Sequence, residues 1–208
     1  GGVTKDLTII NTAANTVTAT AVIRLIGRTT LGLGNSNITI KNCNIIGNTP
    51  GNSGFSGITV TSSIGIYAGA TTISASGTGN DYDNLLIENN SIRSCYNGIH
   101  VMGGTTTQRD NLIIRGNTIG STLATEQVTL RGITAQQIVN GIIEENTITS
   151  MIVNASINIA GIEVYGSATT GTVVRRNTIS DIKSVSTAGY GAYGVNITSG
   201  TGTTVSND

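Results

Sequence analysis

Apolar and polar residues alternate in short stretches along this chain, and the same alternation keeps returning. NITIKNCNI (Asn37–Ile45), NLLIENNSI (Asn84–Ile92), NLIIRGNTI (Asn111–Ile119), NGIIEENTI (Asn140–Ile148) and GTVVRRNTI (Gly171–Ile179) share one template. Weaker copies open at Asp6 (DLTII) and close at Gly202 (GTTVSND). Taking the central aliphatic residue as marker gives Ile9, Ile40, Ile87, Ile114, Ile143, Val174 and Val205, spaced 31, 47, 27, 29, 31 and 31 residues apart. A second pattern, Gly-apolar-x-apolar, lies between the copies: GITV (Gly57–Val60), GIHV (Gly98–Val101), GITA (Gly132–Ala135), GIEV (Gly161–Val164) and GVNI (Gly194–Ile197). A period of two residues marks strands, and no long segment has the 3.6-residue period of a helix.

Repeats of about thirty residues, each holding several short strands, predict a solenoid with one coil per repeat. The expectation is an all-β, right-handed parallel β-helix of about six to seven coils of roughly 27–31 residues. Six marker intervals at about 4.8 Å give a length of about 29 Å. Residues 1–208 read as a single domain with a long insertion at about 46–83. The 47-residue interval fits either one coil with that insertion or two coils with a degenerate copy at Ile58–Ser63.

Alternation sends Ile38, Leu85 and Leu112 inward, then the marker column. Two residues past the marker the chain must turn, and Asn42, Asn89 and Gly116 suit a left-handed corner. Glu145 and Arg176 stand there in later coils, so that corner is expected to be less strictly left-handed, or strained. The next position holds Asn90, Asn117, Asn146 and Asn177, with Cys43 before and Asp208 after. Inward amides stacked at one corner can each donate to one neighbour and accept from the other, forming a ladder. The outward column Lys41, Glu88, Arg115, Glu144, Arg175 alternates in sign, which fits the same register.

Composition supports this reading. The chain has 28 Gly, one Pro, no Trp, one Phe and 11% charged residues. Eleven basic residues balance eleven acidic ones, and with no basic patch the chain lacks the electrostatic footprint of a nucleic-acid binder. No apolar run is long enough to span a bilayer as a helix. Cys43 and Cys95 are too few for a disulfide framework or a zinc site, and they fall in different columns, which argues against a bridge.

The N-x-x-I-x-x-N-x-I copies and the G-I-x-V strands resemble the parallel β-helix repeat family, the solenoid of pectate lyases, polygalacturonases and many bacterial surface proteins. The texture of ENNSIRSCYNGIHV and RNTISDIKSVSTAGYGAYGVNITSG is similar to long secreted or surface proteins of the Bacteroidota, which implies type IX export to the outer face of the outer membrane. The chain begins and ends inside a repeat, so a longer protein is expected at both ends. The polygalacturonase motifs N-T-D, D-D, G-H-G and R-I-K are missing: Ile179 follows Asn177-Thr178, and His100 lies in Gly98-Ile99-His100-Val101.

The candidate chemistry lies in the loops Thr61–Asp83 and Met102–Asp110. Asp83 and Asp110 each precede the repeat asparagine and should be neighbours in adjacent coils. With Asp81, His100 and Arg109 they would make the site of a polysaccharide lyase or hydrolase, and Asp83 with Asp110 could hold Ca²⁺. The competing expectation is that Asp before Asn caps a turn. The column His100, Thr134, Glu163, Asn196 is expected to be a solvated polar stripe that could bind sugars, and Tyr82 could stack on them. Asn44, Ser91, Thr118, Thr147, Thr178 form a hydroxyl-rich row, but its neighbour (Ile46, Arg93, Gly120, Thr149, Ser180) is too irregular for an ice face. The sequence favours a non-catalytic stalk or adhesin-like module that presents loops to a glycan or protein partner and needs no cofactor.

Overall fold

The computed structural model describes residues 4–13, 19–26, 35–48, 63–73, 82–104, 111–154 and 156–208. They form short strands in a strict three-beat order. The first rung is β1 (Leu7–Ile10), β2 (Ala21–Ile26) and β3 (Thr39–Lys41), and the second is β4 (Cys43–Ile46), β5 (Ile64–Gly69) and β6 (Leu86–Glu88). The third is β7 (Ser91–Arg93), β8 (Cys95–Met102) and β9 (Ile113–Arg115), and the fourth is β10 (Thr118–Ile119), β11 (Val128–Gln136) and β12 (Ile142–Glu144). The fifth is β13 (Thr147–Val153), β14 (Ile159–Tyr165) and β15 (Val173–Arg175), and the sixth is β16 (Thr178–Ser184), β17 (Ala192–Ile197) and β18 (Thr204–Ser206).

Every third strand joins one sheet: sheet A is β1-β4-β7-β10-β13-β16, sheet B is β2-β5-β8-β11-β14-β17 and sheet C is β3-β6-β9-β12-β15-β18. All pairings are parallel, so the chain is a β-solenoid of about five turns. Five rung intervals span about 24 Å.

One register differs from the sequence reading and one open alternative is decided. Ile9 stacks on Ile45 of sheet A, not on Ile40 of sheet C. The DLTII copy matches both sheets in pattern, and only pairing separates them. The 47-residue interval is one coil, because Ile40 pairs directly with Ile87 and Lys41 with Glu88. The sheet B strand of this coil carries Gly65-Ile66-Tyr67-Ala68, with Ile66 opposite Ile99 and Tyr67 opposite His100. GITV at 57–60 and most of the Ile58–Ser63 copy lie outside the described residues.

The core is built from aliphatic columns: Ile45, Ile92, Ile119 and Ile148 from sheet A, Ile66, Ile99, Ile133 and Ile162 from sheet B, and Ile40, Ile87, Ile114, Ile143 and Val174 from sheet C. At Gly65, Gly98, Gly132 and Gly161 of the sheet B motifs an isoleucine of sheet A comes close. A Cβ on Gly132 would lie 2.5 Å from the Gly161 carbonyl oxygen and 2.8 Å from Cγ2 of Ile148, and one on Gly98 would meet Gly132 and Ile119 at 2.6 and 2.8 Å. The glycine is therefore required by close approach, since any side chain would push the sheets apart. Cys43 and Cys95 are both free and buried, and burial pushes the Cys95 thiol up to about 12.

The asparagine ladder is present and carries more bonds than the sequence suggests. Asn90, Asn117 and Asn146 donate through Nδ2 to Oδ1 of the next asparagine at 3.0, 2.9 and 2.9 Å. Each Oδ1 also accepts the backbone N–H of the preceding rung, from Cys43, Asn90, Asn117 and Asn146 at 2.9–3.1 Å. The remaining amide hydrogens reach the carbonyls of Ile40, Ile87, Ile114 and Ile143. These buried amides are thus satisfied on every side, which removes the desolvation cost of placing them there.

The corner before the ladder is left-handed at the close of each of the first five rungs, with φ of 57° at Asn42, 51° at Asn89, 63° at Gly116, 56° at Glu145 and 50° at Arg176. The last two take the strained alternative, not a relaxed turn. Their side chains pair across the rung, Arg176 Nη2 to Glu145 Oε1 at 2.9 Å, which offsets part of the strain.

Candidate functional site

The outer face of sheet B collects the polar residues that the core and corners do not use. Its central column runs Arg24, Tyr67, His100, Thr134, Glu163 and Asn196 in direct register. Tyr67, which the sequence reading leaves at a loop or strand end, enters this column because the Gly65–Ala68 strand stands where GITV was expected, and Arg24 of β2 extends it. The repeated Gly-Ile-x-Ala of Gly132–Ala135 was the available signal.

The stripe is not open along its length. Tyr67, His100 and Thr134 are buried, the last two at 2% exposure. The segment after β5 contributes to this cover. Tyr67 donates its hydroxyl to the Thr72 carbonyl at 3.2 Å, and the Arg24 guanidinium donates to the Thr71 carbonyl. Ile64, Tyr67, Ile73 and Met102 form a small apolar cluster outside the main core. The solvated His100 expected from strand alternation is thus corrected: alternation sets the side of the sheet, not what lies over it.

His100 is the most unusual group on this face. Among the described residues neither buried ring nitrogen has a hydrogen-bond partner, and the ring lies 5.8 Å from the Tyr67 ring at a 59° tilt. Thr134 Oγ1, one rung on, is buried and also has no partner among the described residues. Burial and then the nearby Arg131 charge hold the imidazole pKa down at about 4, so it is neutral at pH 7.

Beyond Thr134 the face is only partly covered, with the Arg131 and Glu163 side chains 12% and 14% exposed. Glu163 accepts from Arg131 Nε at 2.7 Å and from Asn196 Nδ2 at 3.1 Å. Arg131 Nη1 also donates to the Leu130 carbonyl at 3.0 Å and to that of Asn158. Tyr165 donates to Gln136 Oε1 at 2.8 Å, and burial with the Glu163 charge raises its pKa to about 12. Arg131 was missed in the sequence because it precedes the motif glycine, a column (Asn97, Arg131, Ala160, Tyr193) with no repeating chemistry.

The structure does not make a sugar platform of Tyr82. It is 2% exposed, and its hydroxyl donates to the Leu25 carbonyl at 2.9 Å, with the Gly69 carbonyl as an alternative acceptor. Tyr82 therefore ties the first two rungs of sheet B together. Asp83 sits at a turn, where its carbonyl accepts from Asn37 N–H at 2.8 Å and its buried Oδ1 has no partner among the described residues. Asp81, Arg109 and Asp110 lie outside the described residues. Among the described residues no group of three or more His, Cys, Asp or Glu side chains is assembled.

On sheet C the alternating charge column is in register as expected. Arg115 meets Glu88 at 2.7 Å and Arg175 meets Glu144 at 2.9 Å, with Arg176 on the same Glu144 carboxylate at 2.9 Å. No described helix is long and apolar enough to cross a membrane.

The three parallel sheets and the buried amide ladder define a parallel β-solenoid, consistent with β-helix repeat proteins. Compared with known protein families, curated proteins and solved structures, the chain matches none.

Proposed function

We propose that this chain is a rigid, non-catalytic module of a secreted or cell-surface protein, which holds a recognition face out to a glycan or protein partner. The supporting observation is how the polar residues are spent. The amides of the ladder and the charges of sheet C are already bonded to neighbouring rungs, as suits a stiff scaffold. The partly exposed face around Arg131, Glu163, Tyr165 and Asn196 combines a charge pair, an amide and an aromatic ring, which is chemistry suited to hydroxyl-rich ligands. The likeness in sequence texture to Bacteroidota surface proteins supports export by type IX secretion to the outer membrane's outer face. A glycan array followed by titration tests the reading: Glu163→Gln and Tyr165→Ala should each weaken binding at least tenfold. Binding unchanged in both variants would remove this face from the proposal.

A second reading keeps one observation in its favour, the buried Asp83 Oδ1, which has no partner among the described residues and which a cation or a substrate hydroxyl would satisfy. It makes the chain a polysaccharide lyase or hydrolase acting through Asp81, Asp83, His100, Arg109 and Asp110. Cleavage of an acidic glycan that depends on calcium and is lost in Asp83→Asn would establish it. No cleavage with or without calcium would dismiss it.

A further inference from the structure

Sheet C carries an apolar strip on its outer side. Ile87, Ile114, Ile143 and Val174 point into the core, so alternation turns their strand neighbours outward. One outward column is Leu86, Ile113, Ile142 and Val173, in direct parallel register and half-buried in all four rungs. The other is Glu88, Arg115, Glu144 and Arg175. Each of these four strands is paired on both flanks, so the strip belongs to the side of the solenoid and not to its ends. Four aliphatic side chains abreast on an outer sheet face are suited to packing against another sheet.

The charges say which sheet fits. Consider a two-fold axis parallel to the strands, between β9 and β12, with a second copy laid face to face on the first. The axis sets Ile113 opposite Ile142 and Leu86 opposite Val173, aliphatic on aliphatic. It also sets Arg115 opposite Glu144 and Glu88 opposite Arg175, so every charge meets its opposite. An axis on β9 itself would oppose Arg115 to Arg115 and Glu88 to Glu144, so the charges select the register. The Arg115, Arg175 and Glu88 side chains are 41%, 34% and 28% exposed and can reach across, whereas Glu144, at 10%, lies beneath Arg175 and Arg176. Neither column holds an aromatic ring on which a sugar could stack, and the charges cancel, which leaves no field to draw a nucleic acid.

We propose that the outer face of sheet C is a homodimer interface, in which two copies pack β6, β9, β12 and β15 face to face with their solenoid axes antiparallel. Four rungs of short strands cover well under the about 800 Å² per partner of a standard interface, so the dimer is weak and dissociates on dilution. Opposed axes suit copies held on facing surfaces. The pairing stands apart from the glycan reading, which concerns sheet B.

Sedimentation equilibrium of the 208-residue chain from about 10 µM to about 1 mM tests this, over the range where a small interface associates. A monomer–dimer equilibrium is expected. Ile113→Lys sets an ammonium against an aliphatic side chain, and Arg175→Glu or Glu88→Arg sets like charges face to face. Each should raise the dissociation constant at least about tenfold, with far-UV circular dichroism confirming the fold. An equimolar mixture of Arg175→Glu and Glu88→Arg should dimerise as the wild type does, because each altered charge then meets its opposite. If either charge variant does not fold, a mixture of Ile113→Lys and Ile142→Glu takes its place, since those two positions also face each other. A wild-type monomer throughout overturns the proposal, as do species larger than a dimer, a dimer that survives Ile113→Lys, and a mixture that stays monomeric.

Discussion

At the scale of the residue, the ladder asparagines carry the largest single contributions. Asn117 Oδ1 accepts from both N and Nδ2 of Asn90, and its own Nδ2 reaches Asn146 Oδ1 and the carbonyls of Ile87 and Arg115. Asn117→Leu keeps the volume but orphans these groups in the core. Each orphan costs about 1–3 kcal/mol, so urea denaturation should show a loss of at least about 3 kcal/mol. His100 makes stability depend on pH. Its folded pKa of about 4 lies below the unfolded value of about 6.5, so between the two the unfolded chain binds more protons. Its contribution is complete above about pH 6.5 and is lost as the pH falls towards 4, by up to about 3 kcal/mol. Denaturation midpoints measured from pH 7 to 4 should show this slope, and His100→Gln should flatten it.

At the scale of the element, the contact between sheets A and B decides which glycines matter. Gly132→Ala drives a methyl into a backbone carbonyl and an isoleucine, and should cost about 1–3 kcal/mol. Gly194, the same motif position in the last rung, would meet only Ile179 Cγ2 at 3.9 Å, so Gly194→Ala should be neutral or slightly stabilising. Thermal melts of the two variants measure the difference, and equal losses would mean that close packing is not why the motif carries glycine. The sequence displayed these glycines clearly. Their reason was not readable there, because the isoleucine that demands each one lies on a different strand.

At the scale of the whole molecule, stability should follow distance from the open ends. Each rung touches only its neighbours, so a solenoid behaves as a linear array whose ends fray first. Amide hydrogen exchange should be slowest in β8 and β11, which are buried along almost their whole length, and fastest in β17 and β18. Uniform exchange along the axis would indicate a single cooperative unit instead.

What the sequence determined alone was the repeat and everything that follows from local alternation: parallel stacking, the aliphatic columns, the inward amides of Asn90, Asn117, Asn146 and Asn177, and the alternating charges of sheet C. These signals are local and recur in each coil, so one chain supplies several readings of the same pattern. The tertiary structure decided what a single strand cannot encode. It moved Ile9 from sheet C to sheet A, because a short alternating run fits either sheet until its hydrogen bonds choose a neighbour. It joined Ile40 to Ile87 across an insertion, since pairing ignores the length of chain between partners. It buried Tyr67, His100 and Thr134 on a face that alternation had marked as outward, because the cover comes from other parts of the chain and no periodicity within a strand reports what packs above it.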